Sequence, residues 1–329
     1  MQRELPQAAR AFCEQLGIRY PVIGGAMYPC SNPELTAAVS AAGGIGIMQP
    51  ISLTYVHGHE YRAGIRLMRT LTDRPIGMNA LIEKSSKKYQ QRMVEWIDIA
   101  LEEGIRFFVT SLGKPDWVAA RVHAVGGLVY HDVTELKWAQ IGLDNGADGL
   151  ICVNRRAGGH AGQRSMQQLY EELHGLGAPL VCAGGVGSGA ELWQALDQGY
   201  AACQLGTRFI ASDECRASAV YKQAIVDATE DDIVLSERVT GIPVAVINTD
   251  FIRRSGTRMG GFSRWMLGGK ITKHWMRMFY GLKSIWQLKR SSLDETGSKD
   301  YWQAGKSVGR IDRIASCASI MQELMGRQR

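Results

Sequence analysis

The stretch CAGGVGSGAELWQALDQGYAACQLGTRF, residues 182–209, places two glycine clusters at the ends of two short apolar runs. Glycine lets main-chain N–H groups approach a ligand with no Cβ in the way, and oxyanions are frequent ligands of such bare main chain. Gly185, Gly187 and Ala190 match the relaxed dinucleotide fingerprint G-x-G-x-x-G/A. That fingerprint normally follows the first strand of its unit, with an acid about 20 residues on for a ribose hydroxyl. Here it follows the seventh apolar run, and the next run, ending CQLGTRF, has no acid until Asp213. A dinucleotide is therefore a poor fit, and the fold has to be read from the whole series of runs.

Eight apolar runs rich in β-branched residues predict strands over Pro21–Ala26, Gly44–Gln49, Pro75–Leu81, Arg106–Ser111, Gly127–His131, Asp148–Asn154, Pro179–Gly184 and Ala202–Gly206. Segments of helical periodicity separate them, among them NPELTAAVSAAGG and SGAELWQALDQG, and several end in glycine, the residue preferred just past a helix. Strands apolar throughout, alternating with helices, predict a parallel sheet buried on both faces. Eight is the number that closes a (β/α)8 TIM barrel of the α/β class, and the competing arrangement is an open doubly wound sheet. A barrel accounts for both glycine clusters, because the loops after strands 7 and 8 often form a phosphate site at the C-terminal face. Gly184 and Gly185 would end strand 7, Gly206 and Thr207 would end strand 8, and the helix opening near Ser188 would add its positive end. The other strand ends, GGAM, GMNA, YHD and VNRRAGGHAGQ, are polar or glycine-rich, as a flat cofactor across the mouth requires.

The 329 residues are 45% hydrophobic and 21% charged, which allows a sizeable core and argues against disorder. No apolar run reaches the ~18 residues of a membrane helix, and the first residues lack the apolar centre of a secretion signal. Seven scattered cysteines without a C-x-x-C pair point to a reducing cytoplasmic setting, with neither a disulfide framework nor a metal site. The net charge of +6 is uneven: residues 251–293 hold no Asp or Glu but carry Lys270, Lys273, Arg277 and seven further basic residues. This suits a local anion-facing surface better than a nucleic-acid binder, for which no binding module is present. Residues 1–231 are expected to form the barrel. Residues 232–300, without clear strands, are expected to form a mainly helical substrate-side subdomain near the C-terminus, and 301–329 to return to the barrel. The basic, Trp-rich stretch could alternatively dock on anionic lipid or a partner protein.

The motifs PVIGGAM, AAGGIGI, DRPIGMN, AGGHAG, CAGGVGSG, LGTRF and QAGKSVG together resemble the nitronate monooxygenase (2-nitropropane dioxygenase) family of FMN-dependent barrels. That family also includes flavin-dependent enoyl-acyl-carrier-protein reductases and NAD(P)H:quinone reductases. The resemblance covers residues 17–212 and 301–329. It implies FMN with its phosphate on Gly184, Gly185, Gly206 and Thr207, and its ring against Gly25, Ala26 and Met27, with Asn79 at the polar edge. It further implies His160, after Gly159, as the active-site histidine, and Ala304, Gly305 and Lys306 in a loop closing over the flavin. Gly24 and Ala26 stand where relatives usually have Gln and Gly, and Lys306 where Gln is frequent.

His160 lies between glycine-rich turns directly after strand 6, and imidazole exchanges protons near working pH. His131 and Asp132 end strand 5 and are either a second polar pair at the mouth, His131 then touching the cofactor, or a structural hydrogen bond. The implied activity is oxidation of an alkyl nitronate or propionate 3-nitronate by O2 to a carbonyl compound and nitrite. The alternative is an NAD(P)H-dependent flavin reductase acting on quinones or enoyl thioesters. Either way the partners are small molecules, and a homodimer is compatible with the sequence.

Overall fold

All eight apolar runs become parallel strands, and the eighth pairs with the first. The computed structural model describes residues 3–83, 86–238, 241–258, 287–293 and 301–326. The strands are β1 (Val22–Gly24), β2 (Ile45–Met48), β3 (Ile76–Leu81), β4 (Phe107–Ser111), β5 (Leu128–Val133), β6 (Gly149–Val153), β7 (Leu180–Ala183) and β8 (Ala202–Leu205). Each pairs with its sequence neighbours, and β8 closes on β1 with Ile23 opposite Gln204, giving a closed TIM barrel. Helices α1 (Gln7–Leu16), α2 (Pro33–Ala41), α3 (Tyr61–Leu71), α4 (Lys87–Glu102), α5 (Asp116–His123), α6 (Leu136–Asp144), α7 (Met166–Leu173) and α8 (Gly189–Gln198) follow. The first precedes the barrel, and each of the others succeeds a strand. Beyond β8 come α9 (Thr207–Ile210) and α10 (Ala219–Asp227).

Two-faced burial explains the unbroken apolar runs. Ile23, Ile47, Val109, Tyr130, Ile151 and Val181 point inward and form one buried cluster. Their neighbours Val22, Leu150, Cys152, Cys182 and Cys203 point outward into the helical layer. All seven cysteines are free and buried. The lower end of the barrel is plugged by α1, whose Phe12 packs edge-on against Phe107 and Tyr130 at centroid distances of 6.5 and 5.8 Å. The opposite end, where the strands finish, is left for chemistry.

Residues 232–300 differ from expectation. They contain an antiparallel pair, β9 (Ile233–Ser236) and β10 (Val244–Ile247), with Val244 opposite Ser236. Both are β-branched runs, and β10 is entirely buried because its second edge meets Gly159 and Gln303. The expected helices here are described only as α11 (Asp250–Ser255) and a helical segment over 287–293. Residues 259–286 and 294–300, which hold most of the basic stretch, lie outside the described residues. The final helix, Cys317–Leu324, packs on the barrel beside α2 and α8, with the Leu324 carbonyl against Gly189. No helix among the described residues is long and apolar enough to cross a membrane.

Phe12 is 2% exposed and seals the barrel floor. Phe12→Ala should cost about 3–5 kcal/mol, since it removes an aromatic ring from a closed cluster. Urea unfolding of the two proteins checks this.

Candidate active site

Three segments build the rim above β6, β7 and β8. The first is the loop after β6 that carries His160. The second is β10: the Ala245 N–H donates to the Gly159 carbonyl at 2.7 Å, which pins that loop beside the histidine. The third is the C-terminal segment, where the Ile247 N–H donates to the Trp302 carbonyl and the Lys306 N–H to the Arg156 carbonyl, both at 2.9 Å. Strand β10 thus lies between the histidine loop and residues 301–305 and holds both. Trp302 is fixed in turn by stacking on Tyr221, with rings 5.5 Å apart.

The two glycine clusters lie under this rim. Gly184 and Gly185 have φ of +114° and +79°, a region that side-chain-bearing residues rarely enter. A Cβ on Gly184 would stand 2.6 Å from the Ala157 nitrogen, so the β6 loop packs directly on the turn. Gly206 lies against the Met27 thioether, and Thr207 Oγ1 accepts the Gly305 N–H at 2.9 Å. The structure therefore brings Gly159, Gly184, Gly185, Gly206, Thr207 and Gly305 to one corner, with Met27 beside it. Among the described residues, no protein acceptor takes the N–H groups of Gly184, Gly185, Gly206 or Thr207. The start of α8 does not add to this cradle as expected. Glu191 folds back in a capping box and accepts the N–H groups of Gly187 and Ser188 at 2.8 and 3.2 Å. The helix end is satisfied by its own carboxylate.

The inner wall below the mouth carries polar side chains. Asn79 is 8% exposed and has one long bond, 3.4 Å, to the Val109 carbonyl. Gln204 shares the inward face with Ile23, its stem would meet a Cβ on Gly25 at 2.9 Å, and its buried Oε1 has no protein partner. Asp132 follows inward Tyr130 by two residues and so points inward as well. Its Oδ1 is buried and unpartnered, and burial pushes its carboxyl up to about 7. A cofactor or substrate with polar edges suits these unsatisfied atoms.

His131 is a correction. Strand alternation turns it outward, where Nδ1 meets Thr110 Oγ1 at 2.9 Å and its ring lies against Gly142 of α6. It does not reach the mouth, and burial lowers its pKa to about 4. The structural reading of His131 therefore holds, and its neighbour Asp132 is the one that faces the site. Asp132 was expected at the mouth only as one half of a pair with His131, and Gln204 and His57 were not expected there. His57 Nε2 lies 3.1 Å from the Pro29 carbonyl, which joins the loops after β1 and β2. Period-two counting from Tyr130 would have found Asp132.

His160 makes no hydrogen bond to protein among the described residues. Its ring is reached by solvent but crowded by the surrounding walls, and this desolvation lowers its pKa below the ordinary imidazole value. A neutral imidazole at the mouth is equipped to accept a proton. Gly162 packs on Thr134, so the histidine loop lies against the end of the strand that bears Asp132.

The family model described as nitronate monooxygenase matches residues 10–326. The chain belongs to the nitronate monooxygenase family. Members of this family are flavin-dependent oxidoreductase enzymes, and the free N–H cradle and unpartnered polar wall fit such a group. The chain is 30% identical to (3aS,4S,5R,7aS)-5-hydroxy-7a-methyl-1-oxo-octahydro-1H-indene-4-carboxyl-CoA dehydrogenase of Rhodococcus jostii, over 96% of this chain and 94% of that protein. It is also 30% identical to nitronate monooxygenase of Pseudomonas aeruginosa, over 65% of this chain and 72% of that one. Among solved structures it resembles FabK from Thermotoga maritima, with TM-score 0.78 and 26% identity over 96% of this chain and 95% of that one.

The Asp132 carboxyl gives a pH test. Its folded pKa lies above the unfolded value of about 3.9, so the native state keeps a proton that the unfolded chain releases. Asp132 therefore lowers stability progressively as pH rises from about 4 to about 7. Asp132→Asn should stabilise the flavin-free protein by about 1–3 kcal/mol near pH 8 and by little near pH 4. Urea midpoints across that range check it, the difference between the two proteins isolating Asp132 from the opposite slope of His131.

Proposed function

We propose that the chain is an FMN-dependent oxidoreductase acting on a carbon acid, with an acyl thioester of the coenzyme A type as substrate. The observation that carries the chemistry is His160, a neutral, unpartnered imidazole held over the mouth by β10. Gly184, Gly185, Gly206 and Thr207 would hold the phosphate. Gly25, Ala26 and Met27 would back the ring, and Asn79 and Gln204 would meet its polar edge. When bound, FMN supplies the two-electron redox couple. The protein's part is position and proton traffic. His160 takes the proton from the carbon beside an electron-withdrawing carbonyl, or returns it when the reaction runs as a reduction.

The thioester reading is favoured by relatedness over nearly the full length of both chains to a dehydrogenase named for its acyl-CoA substrate. The cationic residues Arg155, Arg156, Lys306 and Arg310 near the rim suit an anionic substrate. NAD(P)H is the partner reductant when the thioester is reduced, and NAD(P)+ takes the electron pair when it is oxidised. Oxidation of an alkyl nitronate or propionate 3-nitronate by O2 is the second reading, favoured by the family description and the Pseudomonas aeruginosa relative. In it, His160 holds an already anionic substrate.

Anaerobic titration of the yellow protein separates the two readings. The first expects bleaching by NAD(P)H and return of colour with an enoyl thioester, and no bleaching by nitronate. Bleaching by nitronate alone assigns the second. In either case His160→Asn should lower turnover by about 10²- to 10⁴-fold with flavin content unchanged. Unaltered turnover would remove the proton-transfer role.

A further inference from the structure

Arg156 touches Gly185, the C-terminal segment and Glu230. Its stem and Nε lie on Gly185, where an added Cβ would stand 2.5 Å from Nε. Its carbonyl receives the Lys306 N–H at 2.9 Å, and the preceding residue, Gly305, donates to Thr207 Oγ1 at 2.9 Å. Its guanidinium makes two hydrogen bonds to Glu230, at 2.9 and 2.6 Å. Glu230 feels three cations, Arg156 first, then Lys306 and Arg310, and they hold its carboxyl below the usual range. Arg310 in turn lies 3.5 Å from Glu191, the residue that caps α8. Positive charge thus gathers at one corner of the cradle, and among the described residues Glu230 and Glu191 answer it there.

The Arg156–Glu230 pair is easily parted. Its side chains are 34% and 36% exposed, and wet ion pairs contribute only about 0–1 kcal/mol. A phosphate offers the same guanidinium fork a bidentate partner with more charge than a carboxylate. The N–H groups of Gly184 and Gly185, next to that fork, have no acceptor of their own among the described residues.

We propose that Arg156 is an exchangeable phosphate ligand, leaving Glu230 for the phosphate of FMN and returning when the cofactor departs. The proposal rests on the FMN reading above and adds a charged side chain to a site otherwise made of main chain. Glu230 is the competitor that neutralises Arg156 in the cofactor-free protein.

The test titrates FMN and riboflavin, which lacks the phosphate, into flavin-free protein and follows flavin fluorescence. Three chains are compared: unaltered, Arg156→Met and Glu230→Gln. Methionine keeps an apolar stem on Gly185 while deleting the fork. Arg156→Met should weaken FMN binding about 10- to 100-fold, the range of a charge-assisted hydrogen bond, and leave riboflavin within about twofold. Glu230→Gln should tighten FMN about threefold and leave riboflavin alone, a gain that shrinks with added salt. Equal losses for the two flavins in Arg156→Met would show that Arg156 only holds the loop, and would overturn the proposal. An unchanged FMN affinity in that variant, or a weaker one in Glu230→Gln, would overturn it as well. If the unaltered protein takes up riboflavin but gains nothing from the phosphate, the exchange fails while the flavin reading stands. If it takes up neither flavin, the FMN reading itself falls.

Discussion

Pairing of β8 with β1 is the constraint on which the molecule depends. It removes the last sheet edges, and every strand then ends on the same side. Only this closure brings Met27, after the first strand, against Gly206, after the last. It also sets Gln204 opposite Ile23 on the inner wall. The candidate site draws its residues from β1, β3, β5, β6, β7 and β8 and the turns that follow them. Phe12 from below makes the arrangement one-sided, because it closes the end that chemistry does not use.

The rim is a second layer built on that frame. Strand β10 is short, yet both its edges are engaged: β9 on one, Gly159 and Gln303 on the other. It converts a glycine-rich loop, which alone would have little conformational restraint, into a fixed platform for His160. The same strand anchors the segment that delivers Gly305 to Thr207. The histidine loop, Thr207 and the C-terminal segment are therefore mechanically joined by a few hydrogen bonds. Asp132 shows the counterpart on the inner wall: a carboxyl left without a partner costs stability there, as site residues commonly do.

Much of this was legible in the sequence because barrel strands are buried on both faces and announce themselves as unbroken apolar runs. The glycine pair at 184–185 was legible because positive φ and close approach leave few alternatives there. That same uniformity hid which side each residue faces. His131 and Asp132 are neighbours, and only the inward placement of Tyr130 decides that the carboxylate belongs to the site and the imidazole to α6. The capping box Ser188-x-x-Glu191 was visible in the residues, but its consequence, an N-terminus already occupied, depends on the Glu191 rotamer. Strands β9 and β10 are β-branched runs that were passed over, and the residues on the other edge of β10, Gly159 and Gln303, lie far away in sequence where local pattern carries no trace of them.

The ring closure also dictates an order of events during synthesis. Val22 pairs with Cys203, and the helix Cys317–Leu324 packs beside α2, so the earliest and latest parts of the chain complete one another. Such distant pairing is slow, since a long loop must be closed before any contact rewards it. A nascent chain stalled before β8 would present the open flanks of β1 and β7, the kind of surface that recruits chaperones. The corner formed by Gly184, Gly206, Thr207 and Gly305 is therefore assembled only after residue 305 has been made.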